Sequence, residues 1–168
     1  MSHVETFYIR DDLDASTLRS ESQRVLRLIQ GLIPSASVME VGSTAMEGII
    51  GKQDLDFVVR VGVPQFEKTR SILDKYFSRN DQQLSNAEYQ GYIVSSSLDV
   101  AIQLIVADGK YDTFERFLQL LKRDPSVQQA YNDLKVTWNG RSMQEYRLAK
   151  QGFIESVLRE DQGQVPEN

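Results

Sequence analysis

The stretch "MEVGSTAMEGIIGKQDLDFVVRV", residues 39–61, decides the fold. It reads as the end of a short strand, a Gly-Ser turn, a short helix or turn, and a second strand that opens on two aspartates. Side chains alternate across a strand, so Asp54, Asp56, Val58 and Arg60 share one face. Leu55, Phe57, Val59 and Val61 share the other and form an uninterrupted apolar face. Charge at a strand start has two readings. The acids lie on a solvated sheet face, or they are used.

A second segment, residues 98–106, repeats the asymmetry. Leu98, Val100, Ile102, Leu104 and Val106 fall on one face; Asp99, Ala101, Gln103 and Ile105 fall on the other. If the two strands pair, Asp54, Asp56 and Asp99 converge at one end of the sheet. Such a cluster repels itself unless a cation binds. Mg²⁺ (or Mn²⁺) suits it, as a hard ion that takes carboxylate and phosphate oxygens. Gly42-Ser43 supplies a complementary element: backbone N–H groups and a hydroxyl that can meet a phosphate. Ser43 equally reads as a plain helix N-cap.

Further out, residues 15–32 form a helix, with Leu18, Val25, Leu26, Ile29 and Leu32 at helical spacing and Gly31 and Pro34 at its end. Residues 37–41 form a strand and 65–77 a helix. Residues 87–96 and 97–108 read as a hairpin, and helices follow at 111–123, 126–138 and 142–160. Asp124-Pro125 and Asn139-Gly140 separate those three. The expected architecture is α+β: a small mixed sheet with helices on one side and a helical C-terminal third. Residues 1–160 make one domain, and 161–168 are expected to be a disordered tail.

Composition narrows the chemistry. The 168 residues suffice for one domain with a real core. There is no cysteine, and the single histidine, His3, sits in an N-terminus expected to fray. Ser-His-Asp triads, Cys-His pairs and histidine-rich zinc sites are set aside. A net charge of −5 argues against sequence-independent nucleic-acid binding. With no apolar run of membrane length and no leader-like segment, the expectation is a cytoplasmic protein.

The combination of Gly42-Ser43, Asp54-x-Asp56 and a third acid on a later strand resembles the polymerase-β-type nucleotidyltransferase superfamily. Within it, the chain looks most like the GrpB-like family. "VGSTAMEGIIGK" is similar to that family's H-I-G-S-T-S/A-V-P-G-L-x-x-K-P, with Gly42, Ser43, Thr44, Gly48 and Lys52 matching. "FLQLLKRDPSVQQAYNDLK" and "YRLAKQGFIESVL" are similar to its two C-terminal Tyr-Lys segments. The resemblance spans residues 37–158. It implies that the Gly-Ser turn holds a nucleoside triphosphate, with ATP the first candidate. It implies that Asp54 and Asp56 hold divalent ions and that Asp99 completes the metal site. The chemistry would be two-metal transfer of a nucleoside monophosphate to a hydroxyl or amine of an acceptor the sequence does not name. The departures are Glu40 and Glu47 for the family's His and Pro, and Gln103-Leu104-Ile105 for its H-L-H. These losses motivate the alternative, an inactive nucleotide-binding or interaction module of the same fold. Oligomeric state is not legible.

Two lysines interrupt apolar helical stripes. Lys150 follows Met143 and Tyr146, and Lys135 follows Val127 and Tyr131. Each either snorkels to water or reaches toward a triphosphate with Lys52. Arg60 is a phosphate contact or a counter-ion. Tyr89 and Tyr92 are strand packing or a stacking surface for a base.

Overall fold

The computed structural model describes residues 3–163. Its order is α1 (Ala15–Leu32), β1 (Ser37–Val41), β2 (Leu55–Val61), α2 (Phe66–Asp74), β3 (Ser78–Arg79), β4 (Tyr89–Val94), β5 (Val100–Val106), α3 (Phe114–Arg123), α4 (Pro125–Trp138) and α5 (Met143–Gly163). The strands form one mixed sheet in the order β1-β2-β5-β4-β3. β1 runs antiparallel to β2, β2 parallel to β5, and β5 antiparallel to β4. The fold is the α+β architecture expected.

Local chemistry sets the element ends. Asp14 caps α1, its carboxylate accepting from the Thr17 amide at 2.8 Å and from the Thr17 and Ser16 hydroxyls. Asp124 caps α4 by accepting from the amides of Ser126 and Val127, and Pro125 occupies the first helical turn. α2 is shorter than its periodicity suggests: after Asp74 the chain folds back through Lys75–Phe77 into the two-residue strand β3. α3 begins three residues later than expected. Asp112 is instead used in a turn, accepting from the Asp108 amide at 2.7 Å and from Arg60.

The alternation read from the sequence is borne out. Leu55, Phe57, Val59, Val61, Ile102 and Leu104 point to one side and pack with Val25 and Ile29 of α1 and Phe66 and Leu73 of α2. On the opposite side Val58 and Ile105 pack with Val41 and Tyr89, and with Phe114 of α3. The C-terminal helices stand over this second face.

The segment around Phe7 is tied down rather than frayed. Phe7 is 1% exposed and stacks on Tyr146 of α5 with ring centroids 3.8 Å apart. Backbone bonds lock the segment to the α4–α5 turn: Phe7 N–H donates to Arg141 O, and Met143 N–H donates to Glu5 O. The buried ring offsets the ordering cost that a polar N-terminus would not recover. His3 itself is exposed. At the other end, α5 takes in residues 161–163, and the rest of the expected tail lies outside the described residues. No helix among the described residues is long and apolar enough to cross a membrane.

Candidate functional site

Between the second sheet face and the C-terminal helices lies a cavity of about 320 Å³. The sheet side of its lining carries Gly42, Lys52, Asp54, Asp56, Ala101 and Gln103, with Tyr89 beside them. The helix side carries Tyr146, Arg147 and Lys150 of α5 and an apolar stripe from α3.

The β1–β2 connection is built to hold the acids. Gly42 has φ +83°, a left-handed conformation that a side chain resists. A Cβ there would stand 2.7 Å from Asp56 Oδ2, so the turn and the carboxylate touch with no room between them. Ser43–Ala45 form one turn of 3₁₀ helix. The Thr44 hydroxyl donates to Asp54 O at 2.8 Å, with Glu40 Oε1 a more distant alternative acceptor at 3.2 Å, and Glu40 accepts from Ser22 on α1. Thr44 thus ties the turn to the start of β2. Ser43 packs against Gly51, where a Cβ would meet its Oγ at 2.5 Å. Neither hydroxyl lines the cavity, but Gly42 does.

Charges in the cavity are closely matched. Lys52 pairs with Asp54 at 3.4 Å. Burial, reinforced by the neighbouring Asp54 charge, pushes the Asp56 carboxyl up to about 7, against the pull of Lys150, Lys52 and a hydrogen bond from Gln103. Lys150 is held firmly in its charged form by Tyr131 and Tyr146 and by both aspartates, which together outweigh its burial. Lys135 is 3% exposed and stays out of the lining. Its ammonium donates to Ile50 O at 2.6 Å and lies over the Tyr131 ring at 4.3 Å. Burial and Lys150 bring it down to about 7, while Asp54 and Asp56 oppose the shift. It acts as a strut under the 48–52 loop.

The three acids do not converge. Asp99 lies just before β5, is exposed, and is not part of the lining. Its backbone takes the pairing role instead: Asp99 O accepts from the Leu55 amide at 2.8 Å. The residue opposite Asp56 in the parallel register is Ala101, and the one opposite Val58 is Gln103. Among the described residues no three Asp, Glu, His or Cys side chains are grouped to hold a metal ion. Asp54 and Asp56 nonetheless offer hard oxygen donors within one cavity. They are donors of the kind a hard divalent ion takes, with no third carboxylate beside them in the cavity lining.

Arg60 leaves the site. It pairs with Asp112 through both nitrogens, at 2.9 and 2.6 Å. Tyr92 points to the other sheet face, its hydroxyl donating to Asp74 Oδ1 at 2.9 Å, so it is packing. Tyr89 does line the cavity. Sequence reading missed Arg147 and the α3 wall, because a helical stripe facing a cavity has the same period as one facing a core. Glu40, a departure from the family pattern, is explained by its bonds to Ser22 and Thr44.

The family model described as GrpB protein matches residues 14–160. A UPF0157 protein of Vibrio cholerae serotype O1 is 32% identical over 153 residues, covering 90% of this chain and 81% of that one. The crystal structure of the conserved protein GrpB from Enterococcus faecalis aligns with a TM-score of 0.67 at 15% identity, covering 90% of this chain and 94% of that one. A structure of Cid1, described for its RNA terminal uridylyl transferase activity, aligns at a TM-score of 0.50 and 13% identity, over 77% of this chain and 40% of that one. These structural likenesses concern the fold; this chain spans less than half of Cid1.

Proposed function

This chain belongs to the GrpB family, and from that premise we propose that it binds a nucleoside triphosphate with a divalent cation and transfers the nucleoside monophosphate to an acceptor. The observation that carries the reading is the contact between Gly42 and Asp56 inside a cavity that also holds Asp54, Lys52 and Lys150. A backbone turn, two carboxylates and two ammonium groups are what a metal-bound polyphosphate requires. The nucleotidyltransferase-like fold of the structural neighbours is consistent with it.

Asp54 and Asp56 would hold one Mg²⁺ or Mn²⁺, which supplies neutralisation of the phosphate charge. Lys150 and Lys52 would hold phosphate oxygens, and Arg147 at the cavity edge would add a third cation. The acceptor oxygen or nitrogen forms a bond to the α-phosphorus as the bond to pyrophosphate breaks, and the acceptor proton leaves to solvent. In this reading Thr44 and Lys135 act one layer back, holding the loop that presents Lys52 and Asp54. Asp99 takes no part.

A second reading has its own support. Ala101 occupies the position opposite Asp56, so the third carboxylate is missing from the cavity. A module that holds the nucleotide without transferring it would tolerate that loss. Pyrophosphate release, measured with each nucleoside triphosphate and Mg²⁺ or Mn²⁺, separates the two. Transfer predicts metal-dependent release that falls at least 100-fold in Asp56→Ala. Stabilisation by nucleotide without release, unchanged by acceptor extracts, supports the binding module.

A further inference from the structure

The loop that leads into β2 changes partners along its length. As far as Ile50 it is tied to α4. The Ile50 amide donates to Asn132 Oδ1 at 3.1 Å, Asn132 Nδ2 donates to Gly48 O at 2.8 Å, and Lys135 donates to Ile50 O. Past Ile50 the partner is the N-terminal segment. The Arg10 amide donates to Gly51 O at 2.9 Å. The Gln53 side chain meets the Leu13 backbone twice, accepting from its N–H at 2.9 Å and donating to its carbonyl at 3.0 Å. One side-chain amide thereby satisfies both polar groups of a residue, as a neighbouring strand would. Gln53 does this at φ +59°, in the left-handed region that a residue with a Cβ resists. Such a conformation persists only where its surroundings hold it. Gln53 lies between Lys52 and Asp54, which both line the cavity.

The same N-terminal segment is bonded at its other end to the turn between α4 and α5. Thr6 pairs with Ser142, the Gly140 amide donates to Phe7 O at 2.7 Å, and the Ile9 amide donates to Asn139 Oδ1 at 2.9 Å. With the Phe7–Arg141 and Met143–Glu5 bonds these make a short antiparallel ladder. Phe7 stacks on Tyr146 and clusters with Met143. Both of those residues line the cavity, one and two helical turns before Lys150 on α5. Glu5 also pairs with Arg147 at 3.5 Å, but both side chains are more than half exposed and the pair adds little.

We propose that residues 5–13 are a strap that fixes the Lys52–Asp54 side of the cavity against α5, and that Gln53 is the positioning residue through which it acts. Phe7 and Leu13 are six residues apart. Fully extended, that length spans at most about 20 Å. The strap therefore caps how far the two walls can part while both of its ends stay bonded. Gln53 itself holds no ligand; Lys52, Asp54 and Lys150 do so in the nucleotide reading above. The inference rests on that reading for the identity of the ligand, and on the two sets of bonds for the strap.

Gln53→Gly tests it, because glycine takes the left-handed conformation freely and the substitution removes the two bonds to Leu13. Amide hydrogen exchange followed by NMR and Mg²⁺·ATP titration are read on wild type and variant. The thermal melt stays cooperative. Exchange quickens at least 10-fold at Leu13 and, across the strap, at least 3-fold at Phe7, Gly140 and Met143. The Kd for Mg²⁺·ATP rises at least 5-fold. Ile29→Val, in the closed core under the other sheet face, controls for lost stability. It lowers the melt but leaves the Kd and those three exchange rates within 2-fold. Phe7→Leu makes the converse test: it keeps an apolar side chain, loses the ring stack, and quickens exchange at Arg10 and Leu13. Quickening confined to Leu13 in Gln53→Gly, or a Kd that does not change, overturns the positioning role. If the wild type binds no Mg²⁺·ATP, the nucleotide reading fails and exchange alone decides the strap. Cross-strap quickening then upholds it, and quickening confined to Leu13 refutes it too.

Discussion

The two faces of the sheet are built from the same strands and do opposite work. On one face β2 and β5 give Leu55, Phe57, Val59, Ile102 and Leu104 to a closed core under α1 and α2. On the other they give Asp56, Ala101 and Gln103 to an open cavity under α3–α5. The first face is nearly free of polar atoms. The second holds a carboxyl pushed up by burial, an amide oxygen with no partner and a lysine kept charged. Polar groups left in such a state lower stability. The closed core on the opposite face offsets that loss.

That contrast can be broken most directly with equal substitutions on the two sides. Leu104→Ala in the closed core costs about 4 kcal/mol, near the upper end for buried leucine. Leu118→Ala in the cavity wall costs about 2 kcal/mol, because its side chain already borders open space. Urea melts of both variants check the difference; equal losses would mean that the second face is packed as tightly as the first.

Next in size is Gly42→Ala. The left-handed turn and the 2.7 Å approach to Asp56 Oδ2 both oppose a Cβ. The expected loss is about 2 kcal/mol, together with at least a 10-fold loss of affinity for Mn²⁺ with nucleotide. A variant that melts lower but binds normally would reduce Gly42 to a structural turn.

The smallest effect has the opposite sign. The folded-state pKa of Asp56 lies above its unfolded value, so its contribution is most favourable in acid and is lost as pH rises toward about 7. Asp56→Asn removes that loss. The variant should be more stable than the wild type at pH 8 by about 1–2 kcal/mol and indistinguishable from it near pH 4. Thermal melts across that range test it. A variant destabilised at pH 8 would mean that the carboxylate is already well compensated by Lys150 and Lys52.

Much of this was legible in the chain. The alternation in residues 54–61 and 98–106 assigned both faces correctly, and Gly42, Lys52, Asp54, Asp56 and Lys150 do meet in one cavity. Three features were not legible, for separate reasons. Asp99 shares the strand's alternation but lies before its first paired residue, where alternation no longer fixes direction. Lys135 has the spacing of Lys150 but falls beneath the 48–52 loop, and spacing alone cannot say which helix face meets a cavity. Phe7 packs on Tyr146 across nearly the whole chain length, and no local pattern reports so distant a partner.

The most direct test of the central claim, that Asp54 and Asp56 make the second face a metal-dependent nucleotide site, is a thermal-shift titration of ATP with Mg²⁺ or with EDTA on wild type and Asp56→Asn. The account predicts stabilisation of the wild type by ATP with Mg²⁺, about 2.7 kcal/mol at a hundredfold excess over Kd. That shift should shrink in EDTA and be absent in Asp56→Asn, although the variant alone melts higher at pH 8. Equal stabilisation of both proteins, or none of either with any nucleoside triphosphate, would contradict it.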